Sequence, residues 1–145
     1  MKYSQGSIGR IFVLRFDNDD VLLDTLAKFS RKEKLQAATI IFIGALKSGD
    51  LVTGPKKCVV PPSPNKNLFR DGWEVMGIGT IFTNKLGPQI HIHAAMGKAK
   101  KTLTGCVRGR SKIFLVIEAV VLELKGVRAT KSIDPRTGLN LLKIL

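Results

Sequence analysis

The segment Gln89-Ile90-His91-Ile92-His93-Ala94-Ala95-Met96 decides how this chain folds and what it is able to hold. Apolar and polar residues alternate along it, a period of two that predicts an extended strand. On a strand, Ile90, Ile92, Ala94 and Met96 face the core, while His91 and His93 share the other face roughly 6 to 7 Å apart along the chain. These are the chain's only two histidines. Two neighbouring ring nitrogens on a non-core face suit a metal ion; exposed or hydrogen-bonded surface imidazoles are the plainer alternative.

Downstream, Leu103-Thr104-Gly105-Cys106-Val107-Arg108 repeats the alternation. Leu103 and Val107 point inward, which leaves Thr104, Cys106 and Arg108 on the opposite face of a neighbouring strand. Two imidazoles and one thiolate suit zinc and leave a fourth position open for water or a partner's group. A small, inert, half-buried cysteine is the alternative. Glu118, set among the β-branched residues of Ile113 to Val121, needs a partner, a histidine ring nitrogen or an arginine. Its roles are then a contact that orients a metal ligand, a general base, or a structural pair at a subunit contact.

Working outward, Gly9 to Phe16 reads as a strand, and Asp17-Asn18-Asp19-Asp20 supplies turn and capping side chains for a helix over Val21 to Leu35. Ala37 to Leu46 is a buried strand that ends in the turn chemistry of Lys47-Ser48-Gly49-Asp50. The prolines between Val52 and Arg70 predict a short strand or two and a loop. Trp73 to Phe82, Gln89 to Met96, Leu103 to Val107 and Ile113 to Leu124 follow as strands. Asn84 to Pro88, Gly97 to Lys101 and Gly109-Arg110-Ser111 separate them, the pattern of an antiparallel meander. Gly126 to Gly138 reads as a loop, with a last strand over Leu139 to Leu145. The expectation is one α+β domain over residues 1–145, a largely antiparallel sheet with flanking helices.

Charge points to a polyanionic partner. The chain has 24 Lys plus Arg against 11 Asp plus Glu, a formal charge of +13. Lys98, Lys100, Lys101, Arg108, Arg110 and Lys112 lie in one stretch without an acid, a candidate strip for nucleic-acid phosphates. A merely solvated surface is the alternative. No aromatic residue interrupts the strip, which argues against base stacking on single strands and for nonspecific duplex contact. Arg108-Gly109-Arg110 matches the core of an AT-hook, but Ser111 stands where a hook has proline, so a turn glycine between surface arginines explains it better.

The first residues hold no apolar stretch for export, and Ile113 to Leu124 is too short for a bilayer and carries Glu118 and Glu123. A cytoplasmic protein with no membrane partner is expected. Cys58 and Cys106 are then free thiols. No P-loop, GxGxxG, GxSxG or CxxC pattern occurs, so no specific enzyme chemistry is signalled.

Several short motifs, in order, resemble the plant and prokaryote conserved (PPC) domain, also called domain of unknown function 296. They are Ile43-Gly44-Ala45-Leu46, Trp73-Glu74-Val75 leading to Gly79-Thr80-Ile81, His91-Ile92-His93-Ala94, Gly105, Glu118, and Arg128 followed by Thr137-Gly138-Leu139. The resemblance implies an antiparallel sheet with flanking helices, a homotrimer, and a DNA-related role. It also implies a metal, often zinc, on a His-x-His strand and a following Gly-His. His91 and His93 match that pattern; at the third position this sequence has Gly105-Cys106. A metal-dependent enzyme or small-molecule sensor at His91, His93 and Cys106, with Glu118 as base, is the competing reading.

Overall fold

The computed structural model describes residues 1–145. Its elements are β1 (Ser7–Asp17), α1 (Leu22–Lys32), β2 (Ala37–Pro55), β3 (Pro64–Asn84), β4 (Gly87–Lys98), β5 (Lys101–Lys125), β6 (Ala129–Ile133) and β7 (Asn140–Ile144). Strands β1 to β5 form one antiparallel sheet in the order β1-β5-β2-β3-β4, and β4 pairs with β5 as well. The circuit β2–β3–β4–β5 therefore closes on itself. β6 and β7 make a separate hairpin.

Closure depends on the length of β5. Its start, up to Cys106, lies beside β4; Cys106 to Arg108 reach the end of β2, and Ile113 to Glu123 run along the start of β2. A strand can turn through such an arc only where its ladder slips, and the register with β2 shifts at Gly44/Ala45, Leu46/Ser48 and Ser48/Asp50. Gly44 has φ +144°, a region that side chains avoid, and a Cβ there would meet the Val116 carbonyl.

These slips correct several expectations. Gly109-Arg110-Ser111 is not a turn between two strands, because β5 runs through it. Gly109 sits at φ +59°, where a Cβ would collide with the Asp50 carboxylate, and buried Ser111 donates its hydroxyl to Arg108 O at 3.0 Å. Lys47-Ser48-Gly49-Asp50 likewise lies inside β2, and the hairpin loop falls at residues 56–63 instead. The same small and polar residues serve turns and bulges alike, so composition does not separate the two. One helix flanks the sheet where several were expected. Val21, extended and without a side-chain cap, starts that helix in place of the aspartates. Ala129–Ile133, inside the expected loop, is a strand.

The helix covers the inner face of the sheet. Leu22 and Leu26, one turn apart, are fully buried with Ile40, Phe42, Leu46, Ile92, Ile113 and Ile117. Ile92, Ala94 and Met96 all point into this core, as the alternation predicts.

The outer face is another matter. Register aligns Val13, Val120, Ile41, Ile78 and His93 in a single row across β1, β5, β2, β3 and β4. Val13 is 82% exposed, Ile78 58% and Ile41 51%. Ile43 and Met76 extend the apolar surface in the next row.

Arg10 ties β1 to β5 and to the end of α1. Its guanidinium donates to both Glu123 carboxylate oxygens at 2.9 Å and to Glu33 O at 2.8 Å, and its backbone N–H also donates to Glu123. These bonds hold the Glu123 carboxyl down at about 2. Arg10 is largely solvent-exposed, so screening limits the gain, and Glu123→Gln should cost about 1 kcal/mol at neutral pH. A depressed carboxyl stabilises above its unfolded pKa and loses that contribution as pH falls toward the folded value. Urea melts of wild type and variant should therefore differ at pH 7 and converge as pH drops from about 4.5 to about 2.

Candidate functional site

The β4–β5 hairpin builds the site. It pairs Lys98 with Lys101, and counting inward from there brings His93 opposite Cys106. His91 and His93 share a face of β4, so their Nε2 atoms come to 3.2 Å with the rings edge to face at 82°. With the Cys106 thiol they form a group whose ligand atoms all lie within 4.8 Å of one another. The expected three residues do converge.

Their chemistry fits a tetrahedral cation. Bonds of about 2.0 to 2.1 Å to nitrogen and about 2.3 Å to sulfur put two nitrogens on one zinc about 3.3 Å apart, and nitrogen and sulfur about 3.6 Å apart. The imidazoles already stand at the first spacing, and the thiol needs to close by about an ångström on binding. With no ion, the same approach suits a hydrogen bond in which one neutral ring donates to the other.

Protonation is arranged unequally. Burial is the main cause that lowers the pKa of His91, helped by the Lys131 ammonium, the His93 ring and the Arg108 guanidinium. His91 is thereby held neutral, the form that ligates. Burial also raises the Cys106 thiol, against the pull of Arg108 and Lys131. The thiol consequently keeps its proton until a cation displaces it.

A cavity of about 910 Å³ opens over the group, walled by Val52, Pro62, Leu68 and Arg108 among others. A smaller one of about 450 Å³ shares His91, Arg108 and Leu139 with it and is completed by Lys131 and Asn140 of the β6–β7 hairpin. That hairpin is fastened to the β3–β4 turn. Asn84 Nδ2 donates to Lys131 O at 3.0 Å, and Asn140 Nδ2 donates to Gln89 Oε1 at 2.7 Å. Neither Lys131 nor Asn140 was legible as a site residue, because a lysine in a five-residue strand carries no mark of burial.

The basic strip divides. Arg108 faces the histidines. Arg110 and Lys112 line a cleft with Lys47 and Arg70; Lys98 lines an adjoining cleft that shares Lys47 and Asp71 with the first. Lys100 and Lys101 are exposed at the hairpin turn, outside both. Lys47 and Arg70, distant in sequence, join the cluster only through the fold. Acids temper it: Lys47 pairs with Asp19 at 2.6 Å, Asp50 and Asp71 line the first cleft, and Asp71 and Glu74 line the second, while Lys98 donates to the backbone carbonyl of Asp71. Glu118 is not at the histidine site. It is exposed, makes no ion pair within the chain and lines a separate cavity with Ile43, Glu74 and Met76, while its register neighbour Arg15 bonds Asp17 instead.

Residues 3–125 match the model of the Plants and Prokaryotes Conserved (PCC) domain. The chain belongs to this family. It is the family, also abbreviated PPC, that the His-x-His strand and its neighbours resemble, so that resemblance is correct. Solved structures agree on the fold. A metal-containing protein from Archaeoglobus fulgidus is 26% identical with a TM-score of 0.86, each chain covered to 99%. A plant- and prokaryote-conserved protein from Pyrococcus horikoshii is 23% identical with a TM-score of 0.84 over 100% of this chain and 99% of that one. A candidate DNA-binding protein from Ralstonia eutropha shares 17% identity with a TM-score of 0.76, over 92% of this chain and 90% of its own. Among curated proteins none matches. The hairpin β6–β7 lies beyond the PCC match, so Lys131 and Asn140 come to the site from outside it. No helix is long and apolar enough to cross a membrane.

Proposed function

We propose that this PCC-domain protein is a homotrimeric, cytoplasmic DNA-binding module that grips duplex phosphates without reading bases and carries zinc on His91, His93 and Cys106. The observation behind DNA binding is the pair of adjoining clefts that gathers Lys47, Arg70, Lys98, Arg110 and Lys112 in a chain of charge +13. Exposed Lys100 and Lys101 extend the cluster at the hairpin turn. Cations at such a surface displace counterions from the duplex and need no base contact. The fold shared with the candidate DNA-binding protein from Ralstonia eutropha supports the same reading. Self-association is supported by the exposed apolar rows of the sheet, which a lone chain would leave in water.

Titration of a fluorescent duplex at several salt concentrations tests the DNA claim. With about five phosphates neutralised, log K should fall against log salt with a slope near −4 to −5, shallower by about two in an Arg110→Ala, Lys112→Ala double variant. A flat titration at low ionic strength removes the reading.

A second reading, a metal-dependent enzyme or sensor of small molecules, is favoured by the cavity of about 910 Å³ above the ligand group. His91, His93 and Cys106 would hold the ion, which supplies Lewis-acid polarisation or an ionised water when bound. The cavity walls would orient a ligand, and Arg108 at its edge would offer the charge.

A further inference from the structure

The cavity of about 450 Å³ between β4 and the β6–β7 hairpin has a charge balance that its walls do not explain. Arg108 and Lys131 both line it, and no acid does. Lys131 is only 8% exposed, yet no carboxylate lies within ion-pair distance of it, and none lies within that distance of Arg108. A lysine packed this deep, its ammonium with no counter-charge and no hydrogen-bond partner in the chain, is costly to keep charged, and an anion in the cavity would supply what the walls lack. A second polar group there is also unpartnered. Asn140 Oδ1 is buried with no hydrogen-bond donor, although the same amide's Nδ2 is engaged by Gln89. The remaining walls, Ile90, Leu139 and Leu141, are apolar.

We infer that this cavity binds a small oxyanion, a carboxylate or a phosphate, on Lys131 and Arg108, with its body against Ile90, Leu139 and Leu141. Arg108 presents a planar fork and Lys131 a compact cation, the pairing that oxyanions favour. Asn140 Oδ1 accepts a hydrogen bond from a hydroxyl of the ligand or from the protonated oxygen of a hydrogen phosphate. Because His91 lines the same cavity, the bound anion lies beside the ligand group His91, His93 and Cys106. The inference rests on the site of the second functional reading but does not need the metal. Arg108, expected as a phosphate contact for DNA, serves a small anion here.

Calorimetric titration of the full chain at fixed ionic strength tests it, with butyrate and inorganic phosphate as separate probes, each run with and without added zinc. Saturable binding of one probe identifies the ligand's headgroup. Lys131→Met keeps the shape of the buried stem, and Arg108→Gln changes an exposed residue; each should weaken binding roughly tenfold or more. Lys28→Met, exposed on α1 and outside every cavity and cleft described, should leave it unchanged, which separates a pocket from general charge. The inference is overturned if neither probe saturates, or if both pocket variants bind like wild type. Zinc uptake without anion binding would sink it and spare the metal site; anion binding without zinc uptake would do the reverse.

Discussion

Zinc affinity is expected to fall at least about a thousandfold when His91 and His93 are both replaced by alanine. Structural zinc sites with four ligands bind with roughly 10 to 16 kcal/mol, or about 2.5 to 4 per ligand, and the double variant keeps one protein ligand of three. What is left is the Cys106 thiol, whose burial holds the proton on. Both histidines are at least partly solvent-accessible and off the core, so the fold should survive, and circular dichroism checks that it does. Chelator competition reads the affinity, and equal zinc content in the two proteins would end the metal proposal. The sign of the pH effect follows from the same residues. His91 is held neutral, while Cys106 is protonated and must release its proton to bind. Affinity should therefore rise about tenfold per unit between about pH 7 and 8.5, and Cys106→Ser should flatten that slope.

Replacing Ile41 and Ile78 with aspartate is expected to convert the assembly to single chains of 15.9 kDa in a sedimentation experiment. The two side chains are register partners in the middle of the row that runs from Val13 to His93, and both are more than half exposed in the single chain. Losing them costs the isolated fold little apolar burial, but the two facing carboxylates repel, so circular dichroism must show the variant folded before its sedimentation is read. If copies meet over this face, each carboxylate is carried out of water without a partner, and association should weaken on the order of a thousandfold or more. A wild type that sediments as a monomer at micromolar concentration would refute the trimer, and a variant that stays assembled would refute this face as the contact between copies. Because His93 ends that row, the dissociated variant also tests whether zinc needs a second subunit: unchanged affinity means that one chain holds the ion.

Three kinds of information were written locally and were read correctly. The period of two in Gln89 to Met96 and Leu103 to Val107 is dictated by backbone pleating, so the facing of Ile92, Ala94 and Met96 and the meeting of both histidines with Cys106 follow from short-range geometry. The helix at Leu22–Lys32 was legible because its apolar spacing spans three turns. Chain-wide charge was legible by counting.

Long-range closure decided the rest. Whether Lys47 to Asp50 and Gly109 to Ser111 are turns or bulges depends on which strand lies alongside, because the same residues tolerate both. Only the arc of β5 puts Arg108 beside the histidines and sends Arg110 and Lys112 to the clefts of Lys47 and Arg70. Only the docking of β6–β7 on the β3–β4 turn buries Lys131 without a counter-charge. The sequence by itself determined which residues can ligate, carry charge or pack, since those are properties of side chains and of strand period. Which of them meet, and which stay unpaired, was decided by the tertiary structure, because closing a sheet joins residues that no local pattern relates.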